Sequence, residues 1–321
     1  MDAFQITSFD APPAIRSVQP APPGPGEVAL RIAACGLNFA DLLMAEGKYQ
    51  ERPPLPATLG MEVAGTVTAT GPGVRGFAPG DRVAVFAGHG GLAQAGNFPA
   101  DRCTHLPDAM PFDVAAAFQI AYGTAHVALS HRAHLRAGET LLVLGAAGGV
   151  GLAAVEIGKA MGARVIASAR GAAKLQVARA AGADHAIDSD APDLRGALKD
   201  LGGVDVVFDP VGGDPFRAAM RACNPDGRIV IVGFASGDVP QVPANHLLVK
   251  NITLLGFYWG GYMAFAPQIV TDSLTRLYGW YGEGRLQPHI SARYPLAQAG
   301  EALEFLRARR STGKVVVVVD G

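Results

Sequence analysis

The sequence predicts an α/β protein of two domains, one built on a parallel β-sheet with helices on both faces and one smaller and rich in β-strands. From about residue 139, unbroken apolar strands alternate with helical segments, which is typical of a parallel sheet covered on both faces. The first 120 residues instead hold short β segments cut by Pro- and Gly-rich turns, which predicts a compact, barrel-like domain. A chain of 321 residues is long enough for two medium-sized domains.

Six strands with their connecting helices predict one doubly wound domain over residues 121–256. In chain order, these strand segments are TLLVLGA, RVIASA, HAIDS, VDVVFDPVG, GRIVIVGF and ITLLGF. A last apolar strand, VVVVV at 315–319, follows a helix-like segment, and we expect it to return to the first domain. The β-rich domain is therefore assigned residues 1–120 and 257–321.

Composition argues against several classes of function. The formal net charge is -1 and the basic residues are scattered, so no surface suited to nucleic acid or to an anionic membrane is expected. Three cysteines without a CxxC pair predict neither a disulfide framework nor a zinc knuckle. The apolar stretch 141–158 is interrupted by glycines and is not expected to span a bilayer, and no signal peptide is recognised, so we expect a cytosolic protein.

Glycines in that apolar stretch predict a phosphate-binding turn. Gly145, Gly148 and Gly151 are spaced by three residues between a strand and a helix, with Gly149 and Val150 in the same turn. Glycine allows the tight turn, the approach of backbone N–H groups to a pyrophosphate and close helix packing. A tight turn without a ligand is the alternative, but the pattern opens a complete strand-helix-strand unit. This favours a dinucleotide-binding Rossmann domain.

The end of the second strand of this domain indicates which dinucleotide binds. An acidic residue there would bond the ribose hydroxyls of NAD, and RVIASARGAAK contains none. It offers Ser168, Arg170 and Lys174, a hydroxyl and two cations suited to a 2′-phosphate. The sequence therefore favours NADPH over NADH, the alternative being that Arg170 and Lys174 are only solvated.

Seven local motifs resemble one known family. In chain order they are AACGLNFADLLMAEGKY, LPATLGMEVAGTV, GDRVAVF, GTAHVAL, GAAGGVGLAAVEIGKAMGARV, GVDVVFDPVGG and LLVKNITLLGFYWG. Their order and spacing resemble the zinc-independent quinone oxidoreductase branch, the ζ-crystallin-like enzymes, of the medium-chain dehydrogenase/reductase superfamily. The resemblance implies an N-terminal GroES-like domain beside the Rossmann domain.

The resemblance also addresses the metal. Zinc alcohol dehydrogenases of this superfamily hold their catalytic ion with a Cys and a His at positions that carry Asn38 and Met61 here. An amide and a thioether are poor ligands for Zn²⁺ compared with a thiolate and an imidazole. We therefore expect no metal.

Site residues follow from the same resemblance. Asn38 is expected to reach the nicotinamide or the substrate, and Thr124 to contact the nicotinamide amide. Tyr49 is expected to hydrogen-bond the acceptor oxygen that gains charge as hydride arrives, the alternative being that it only packs. Further cofactor contacts are expected from Gly233, Phe234, Phe257, Tyr258, Trp259 and Lys314.

Together these features predict an NADPH-dependent, zinc-independent quinone oxidoreductase that reduces a quinone or a similar conjugated carbonyl compound. A homodimer is expected from the resemblance. An enoyl-thioester or enone reductase shares the fold and the cofactor, and sequence does not separate the two activities. A non-catalytic NADPH-binding protein, structural or RNA-associated, is a further alternative, against which the absence of a basic patch argues.

Overall fold

Short strands dominate the first 120 residues, as their alternation of apolar segments and turns predicts. The computed structural model describes residues 1–319. Its elements up to residue 116 are β1 (Asp2–Ile6), β2 (Ala14–Ser17), β3 (Glu27–Leu37), α1 (Phe39–Ala45), β4 (Ala57–Thr58), β5 (Glu62–Thr70), β6 (Arg82–Phe86), β7 (Ala95–Pro99), β8 (Cys103–His105) and α2 (Phe112–Ala116).

Strands and helices then alternate. These elements are α3 (Gln119–His126), β9 (Thr140–Leu144), α4 (Gly149–Ala160), β10 (Arg164–Ala169), α5 (Ala172–Ala180), β11 (His185–Asp188), α6 (Leu194–Asp200), β12 (Val204–Asp209), α7 (Gly213–Ala222), β13 (Cys223–Ile231), α8 (Ala244–Lys250), β14 (Thr253–Gly256), α9 (Trp259–Phe265) and α10 (Pro267–Gly282). The chain closes with β15 (Ile290–Pro295), α11 (Ala299–Arg307) and β16 (Lys314–Val318).

The chain divides into two compact units. Unit 1 comprises residues 1–120 and the chain from Ile290 onward, and unit 2 comprises Ala121–His289. The predicted change of domain after residue 120 falls at this division. The segment 257–289, which the sequence assigned to the first domain, lies instead in unit 2.

Packing explains where this segment lies. The hydroxyl group of Ser273 in α10 is 2.8 Å from Nδ1 of His126 in α3, and Leu277 of α10 is fully buried. After α10, the backbone N–H of Gln287 donates to Oε2 of the buried Glu156 in α4 (3.2 Å). The hydroxyl of Tyr122 donates to the same carboxylate oxygen (2.7 Å), so the two ends of unit 2 are fastened to one helix.

Unit 1 contains a seven-stranded, mainly antiparallel sheet and a three-stranded sheet of order β2-β1-β4. In the larger sheet, β3 pairs along one side with β5, and along the other with β7 through Glu27–Arg31 and with β16 through Ala34–Leu37. The C-terminal strand therefore completes the sheet of the first 120 residues, as predicted. Its valines Val315, Val316 and Val317 are buried.

Unit 2 is built on a six-stranded sheet in the order β11-β10-β9-β12-β13-β14, with every neighbouring pair parallel. This is the strand order of the Rossmann fold, and it confirms the predicted α/β doubly wound domain. The strand order reverses beside β9, because β10 lies on one side of it and β12 on the other. Ligands of such sheets bind at the carboxyl ends of the strands at this point.

Helix α4 contains most of the apolar stretch 141–158, whose length is close to that of a membrane span. Across residues 1–319 there is no helix with the length and apolar character needed to cross a bilayer. The location of the protein in the cell stays a prediction.

Candidate active site

The turn between β9 and α4 is so tight that only glycine fits at two of its positions. Gly145 has a φ of +61°, in the left-handed region. A Cβ atom on Gly151 would lie 2.2 Å from the carbonyl oxygen of Gly145, so the helix packs directly on the turn. Gly148 is exposed and Gly149 and Val150 are half-exposed, which leaves the helix N-terminus open to an anion. The turn therefore fits the pyrophosphate of a dinucleotide.

A second turn, after β12, lies against the glycine turn. A Cβ on Gly145 would come within 2.9 Å of a methyl group of Val211. Asp209 at the end of β12 is fully buried, and its Oδ1 accepts hydrogen bonds from the N–H groups of Val211 (2.7 Å) and Gly212 (2.9 Å). Burial raises the pKa of this carboxyl group. Sequence reasoning missed Asp209, although its place at the end of a buried strand was a usable signal.

The carboxyl ends of β13 and β14 carry most of the aromatic residues that were expected beside the cofactor. Phe234 is 40% exposed, whereas Trp259 is buried. The backbone N–H of Phe257 donates to the carbonyl of the last residue of β13 (3.1 Å). The Trp259 ring lies 2.8 Å from where a Cβ on Gly123 would stand, next to the buried Thr124. The predicted residues that unit 2 places in these segments are Thr124, Gly233, Phe234, Phe257, Tyr258 and Trp259.

The side chains expected at the 2′-phosphate do not all point to one site. Ser168 is fully buried within β10, and its hydroxyl has no hydrogen-bond partner in residues 1–319, so it is not presented to a ligand. Arg170 is exposed and forms an ion pair with Asp190 (2.9 Å), and Lys174 is half-exposed. The sequence predicts a contact from the Ser168 hydroxyl, whereas the structure places this residue inside the sheet, between two neighbouring strands. Sequence reasoning missed Asp188, the last residue of β11, and Asp190, two residues beyond it.

In unit 1, Asn38 belongs to a buried polar cluster. The ammonium group of Lys314 contacts Oε1 of Glu62 and donates to Oδ1 of Asn38 (2.7 Å). The amide nitrogen of Asn38 donates to Oε1 of Glu62 (3.0 Å), and Oε2 of Glu62 accepts from the N–H of Ile120 (2.9 Å). Lys314 is only 5% exposed and its ammonium group is held by Glu62 and Asn38, which speaks against the expected contact of this ammonium with cofactor phosphates. Glu62 lies 252 residues before Lys314, so no local pattern in the sequence predicts that these two residues pair.

Asp41 adds a second carboxylate to this cluster. It is fully buried in the first turn of α1, where Oδ2 accepts from the N–H of Asn38 (2.8 Å). Its Oδ1 has no hydrogen-bond partner within the described chain. Burial raises the pKa of Asp41 to about 7, with Glu62 adding to the shift and Lys314 opposing it. Burial likewise raises the pKa of the Cys35 thiol, so this cysteine is not a reactive thiolate.

Tyr49 lies just after α1 and is half-exposed. The preceding turn is fastened to α11, because the guanidinium of Arg307 donates to Oε1 of Glu46 (2.5 Å). Met61, at the second position that binds zinc in the alcohol dehydrogenases, is 2% exposed and part of the core. Within residues 1–319, no group of three or more His, Cys, Asp or Glu side chains is arranged to hold a metal ion.

Comparison with known proteins agrees with this architecture. Residues 24–108 match the alcohol dehydrogenase GroES-like domain, and residues 149–273 match the family described as zinc-binding dehydrogenase. Quinone oxidoreductase-like protein 2 of Bos taurus is 41% identical over 95% of this chain and 89% of its own length. The quinone oxidoreductase of Pseudomonas aeruginosa is 35% identical over 98% of both chains.

The fold of a solved relative is also close. The crystal structure of Escherichia coli quinone oxidoreductase complexed with NADPH superposes with a TM-score of 0.92 at 30% identity, covering 99% of this chain and all of the other. The predicted GroES-like and Rossmann domains are thereby confirmed. The protein is an oxidoreductase that belongs to the zinc-independent quinone oxidoreductase branch of the medium-chain dehydrogenase/reductase superfamily.

Proposed function

We propose that the protein is an NADPH-dependent reductase that passes hydride to a quinone or to a similar conjugated carbonyl compound. The observation that carries the proposal is the glycine turn before α4, where a Cβ on Gly151 would strike the Gly145 carbonyl while the helix N-terminus stays open. The Escherichia coli relative complexed with NADPH supports the choice of cofactor. NADPH supplies the hydride, and the protein supplies binding and placement.

The chain's own groups divide this work. The first N–H groups of α4 bind the pyrophosphate, and Arg170 with Lys174 bind the 2′-phosphate. The segments that contain Phe234 and Trp259 border the nicotinamide. Tyr49 donates a hydrogen bond to the acceptor oxygen as negative charge develops there.

Asn38 works mainly by holding a fixed position. Its amide nitrogen already donates to Glu62 (3.0 Å) and to the carbonyl oxygen of Gly36 (3.4 Å), and its oxygen accepts from Lys314 (2.7 Å). One acceptor lone pair is left for the nicotinamide or the substrate. Asn38 therefore offers a pre-oriented oxygen rather than a freely rotating amide.

We propose that this chemistry runs without a metal. The supporting observation is the donor set, since the amide of Asn38 is engaged by Lys314 and Glu62 and the Met61 thioether is buried. The match to the family described as zinc-binding dehydrogenase spans 149–273 and includes neither position. Elemental analysis is expected to find far less than one zinc per chain, with full activity after chelation. One zinc per chain, lost together with activity, would refute this.

The activity is tested by comparing two acceptors in the wild type and Tyr49→Phe. With a benzoquinone, water can protonate the quinol, so the loss of the phenol is expected to lower turnover by about tenfold, or about 1.4 kcal/mol. With a crotonyl thioester, a carbon must be protonated, and losing a positioned acid would cost about 10² to 10⁴-fold. Tyr294→Phe, at a half-exposed tyrosine in the same unit, is the matched control.

Each outcome of this comparison favours one function. Activity confined to the quinone, with a mild effect of Tyr49→Phe and an unchanged Kd for NADPH, supports the proposal. Thioester reduction that collapses in Tyr49→Phe would indicate an enoyl reductase. No turnover of either acceptor despite tight NADPH binding would indicate a non-catalytic binding protein.

We also propose a homodimer formed through the outer edge of β14. In the part of the chain that the structure describes, β14 pairs only with β13, so its other edge is open. Leu248 and Val249 in the neighbouring α8 are 76% and 72% exposed, an apolar surface beside a strand edge. Light scattering is expected to show a dimer that Leu248→Asp/Val249→Asp converts to a monomer, while Phe265→Asp does not. A wild-type monomer at micromolar concentration would refute the proposal.

A further inference from the structure

Acidic side chains lie close to the place where the 2′-phosphate is expected, and they belong to the end of the edge strand β11 and to the loop after it. Strands β10 and β11 run parallel, with Ala169 opposite Asp188 in the register. Arg170 comes directly after β10, and Asp190 lies two residues after β11. The Arg170 Nε atom lies 3.1 Å from Oδ1 and 2.9 Å from Oδ2 of Asp190.

Backbone hydrogen bonds set this pairing. Oδ2 of Asp188 accepts from the N–H of Gly171 (3.2 Å), which follows Arg170, and its Oδ1 accepts from the N–H of Asp190 (3.0 Å). One carboxylate therefore ties together the two loops that carry the ion pair. Because Asp188 uses both oxygens in this way, Asp190 is the carboxylate that remains to pair with the arginine.

We infer that Asp190 limits the preference for NADPH over NADH. Its carboxylate occupies the guanidinium that a 2′-phosphate would bind, and its charge repels that phosphate. NADH carries no 2′-phosphate and meets neither penalty. The inference rests on the proposed contact between Arg170 and the 2′-phosphate, and it makes Asp190 a determinant of cofactor specificity.

The exposure of the pair sets the size of the effect. The side chains of Arg170 and Asp190 are 68% and 57% exposed, so the ion pair is weak and a stronger anion can replace it. An exposed pair of this kind lowers the affinity of a competing anion by about 1.5- to 5-fold, and repulsion in water adds a further factor of about two. Removing the charge is therefore expected to strengthen NADPH binding about three- to tenfold at low salt. The gain shrinks toward one in 1 M salt, where the Debye length is about 3 Å.

The test measures equilibrium binding rather than turnover. Dissociation constants for NADPH and NADH are determined by calorimetry at low salt and in 1 M salt for the wild type and Asp190→Asn, which keeps the shape and removes the charge. Asp200→Asn is the matched control, since this exposed residue is the last of α6 and precedes β12, away from the loops after β10 and β11 that carry the ion pair. Arg170→Ala, alone and combined with Asp190→Asn, completes a double-mutant cycle.

We expect Asp190→Asn to lower the Kd for NADPH by about three- to tenfold at low salt and to leave the Kd for NADH unchanged. On the Arg170→Ala background, most of this gain is expected to disappear. If Arg170→Ala weakens NADPH binding but Asp190→Asn does not change it, the role of Asp190 is refuted and the phosphate site stands. If Arg170→Ala has no effect on NADPH, the contact on which the inference rests is wrong. A wild type that binds neither cofactor would overturn the proposed function itself.

Discussion

Replacing Asp41 with Asn is expected to raise the stability relative to the wild type progressively as the pH rises from about 4 to about 7. Asp41 is fully buried, and burial raises its pKa in the folded protein to about 7, against an ordinary value of 3.8. Between these values the folded state binds a proton that the unfolded state has released. The stability contributed by this group is therefore fully present below about pH 4 and is lost as the pH rises to about 7.

The magnitude follows from the difference between the two pKa values. Each tenfold change in proton affinity corresponds to 1.36 kcal/mol, so ionising Asp41 in the folded state costs about 4 kcal/mol above pH 7. Local relaxation and the entry of water lower this, and we expect about 2–4 kcal/mol. Asparagine does not ionise, so Asp41→Asn does not carry the cost of a buried ionised carboxylate. The unpartnered Oδ1 becomes an amide N–H₂ in Asp41→Asn, which adds a cost that does not depend on pH.

Urea denaturation at pH 5, 6, 7 and 8, followed by circular dichroism, measures the difference between Asp41→Asn and the wild type. Asp10→Asn is the control, because Asp10 is an exposed aspartate of the same unit. Trp259 and Trp280 both lie in unit 2, so their fluorescence reports separately on that unit. The reasoning is wrong if the difference for Asp41→Asn changes by less than about 0.5 kcal/mol between pH 5 and pH 8.

Three further predictions concern packing and buried polar groups. Lys314→Met is expected to lower the free energy of unfolding by about 3–5 kcal/mol, and adding Glu62→Gln should restore most of it; an equally unstable double variant would contradict this. Gly151→Ala is expected to weaken NADPH binding at least about tenfold, because the new Cβ would lie 2.2 Å from the carbonyl oxygen of Gly145. Gly279→Ala is the control: a Cβ there has nothing within 4 Å, so this variant should bind NADPH normally and gain up to about 1 kcal/mol of stability. Tyr122→Phe is expected to cost about 1–3 kcal/mol, measured by urea denaturation, because it removes a donor from a buried carboxylate; a loss below about 0.5 kcal/mol would show that Gln287 alone satisfies that carboxylate.

The parallel sheet of unit 2 is predicted well because its signals are local. Strands buried on both faces read as unbroken apolar runs, and β9 is fully buried along its length. The glycine turn is equally local, since the clash that excludes a side chain at Gly151 is with Gly145, six residues earlier. Fold class and cofactor class therefore follow from short stretches of sequence.

The remaining features depend on contacts between distant parts of the chain. The apolar pattern of α10 indicates a buried face but not that this face packs on α3, so the sequence alone does not assign the segment 257–289 to unit 2. The polar side chain of Ser168 predicts a contact with the cofactor, but the side of a sheet on which a residue lies depends on register, and Ser168 is fully buried. The carboxylate that pairs with Arg170 is that of Asp190, which lies after the neighbouring strand β11 and outside the segment RVIASARGAAK, where an acidic residue would indicate NAD.

The cluster around Asn38 shows how this chain uses one of the two positions that hold zinc in the alcohol dehydrogenases. Two carboxylates and one ammonium group are buried together, and burial raises the pKa of Asp41 to about 7. Lys314 binds both Glu62 and the oxygen of Asn38, and Asp41 binds the backbone N–H of Asn38. Deprotonating Asp41 adds a negative charge next to the residue that is proposed to present an oxygen to the nicotinamide. We therefore expect the same buried proton to affect both the stability of unit 1 and the orientation of Asn38.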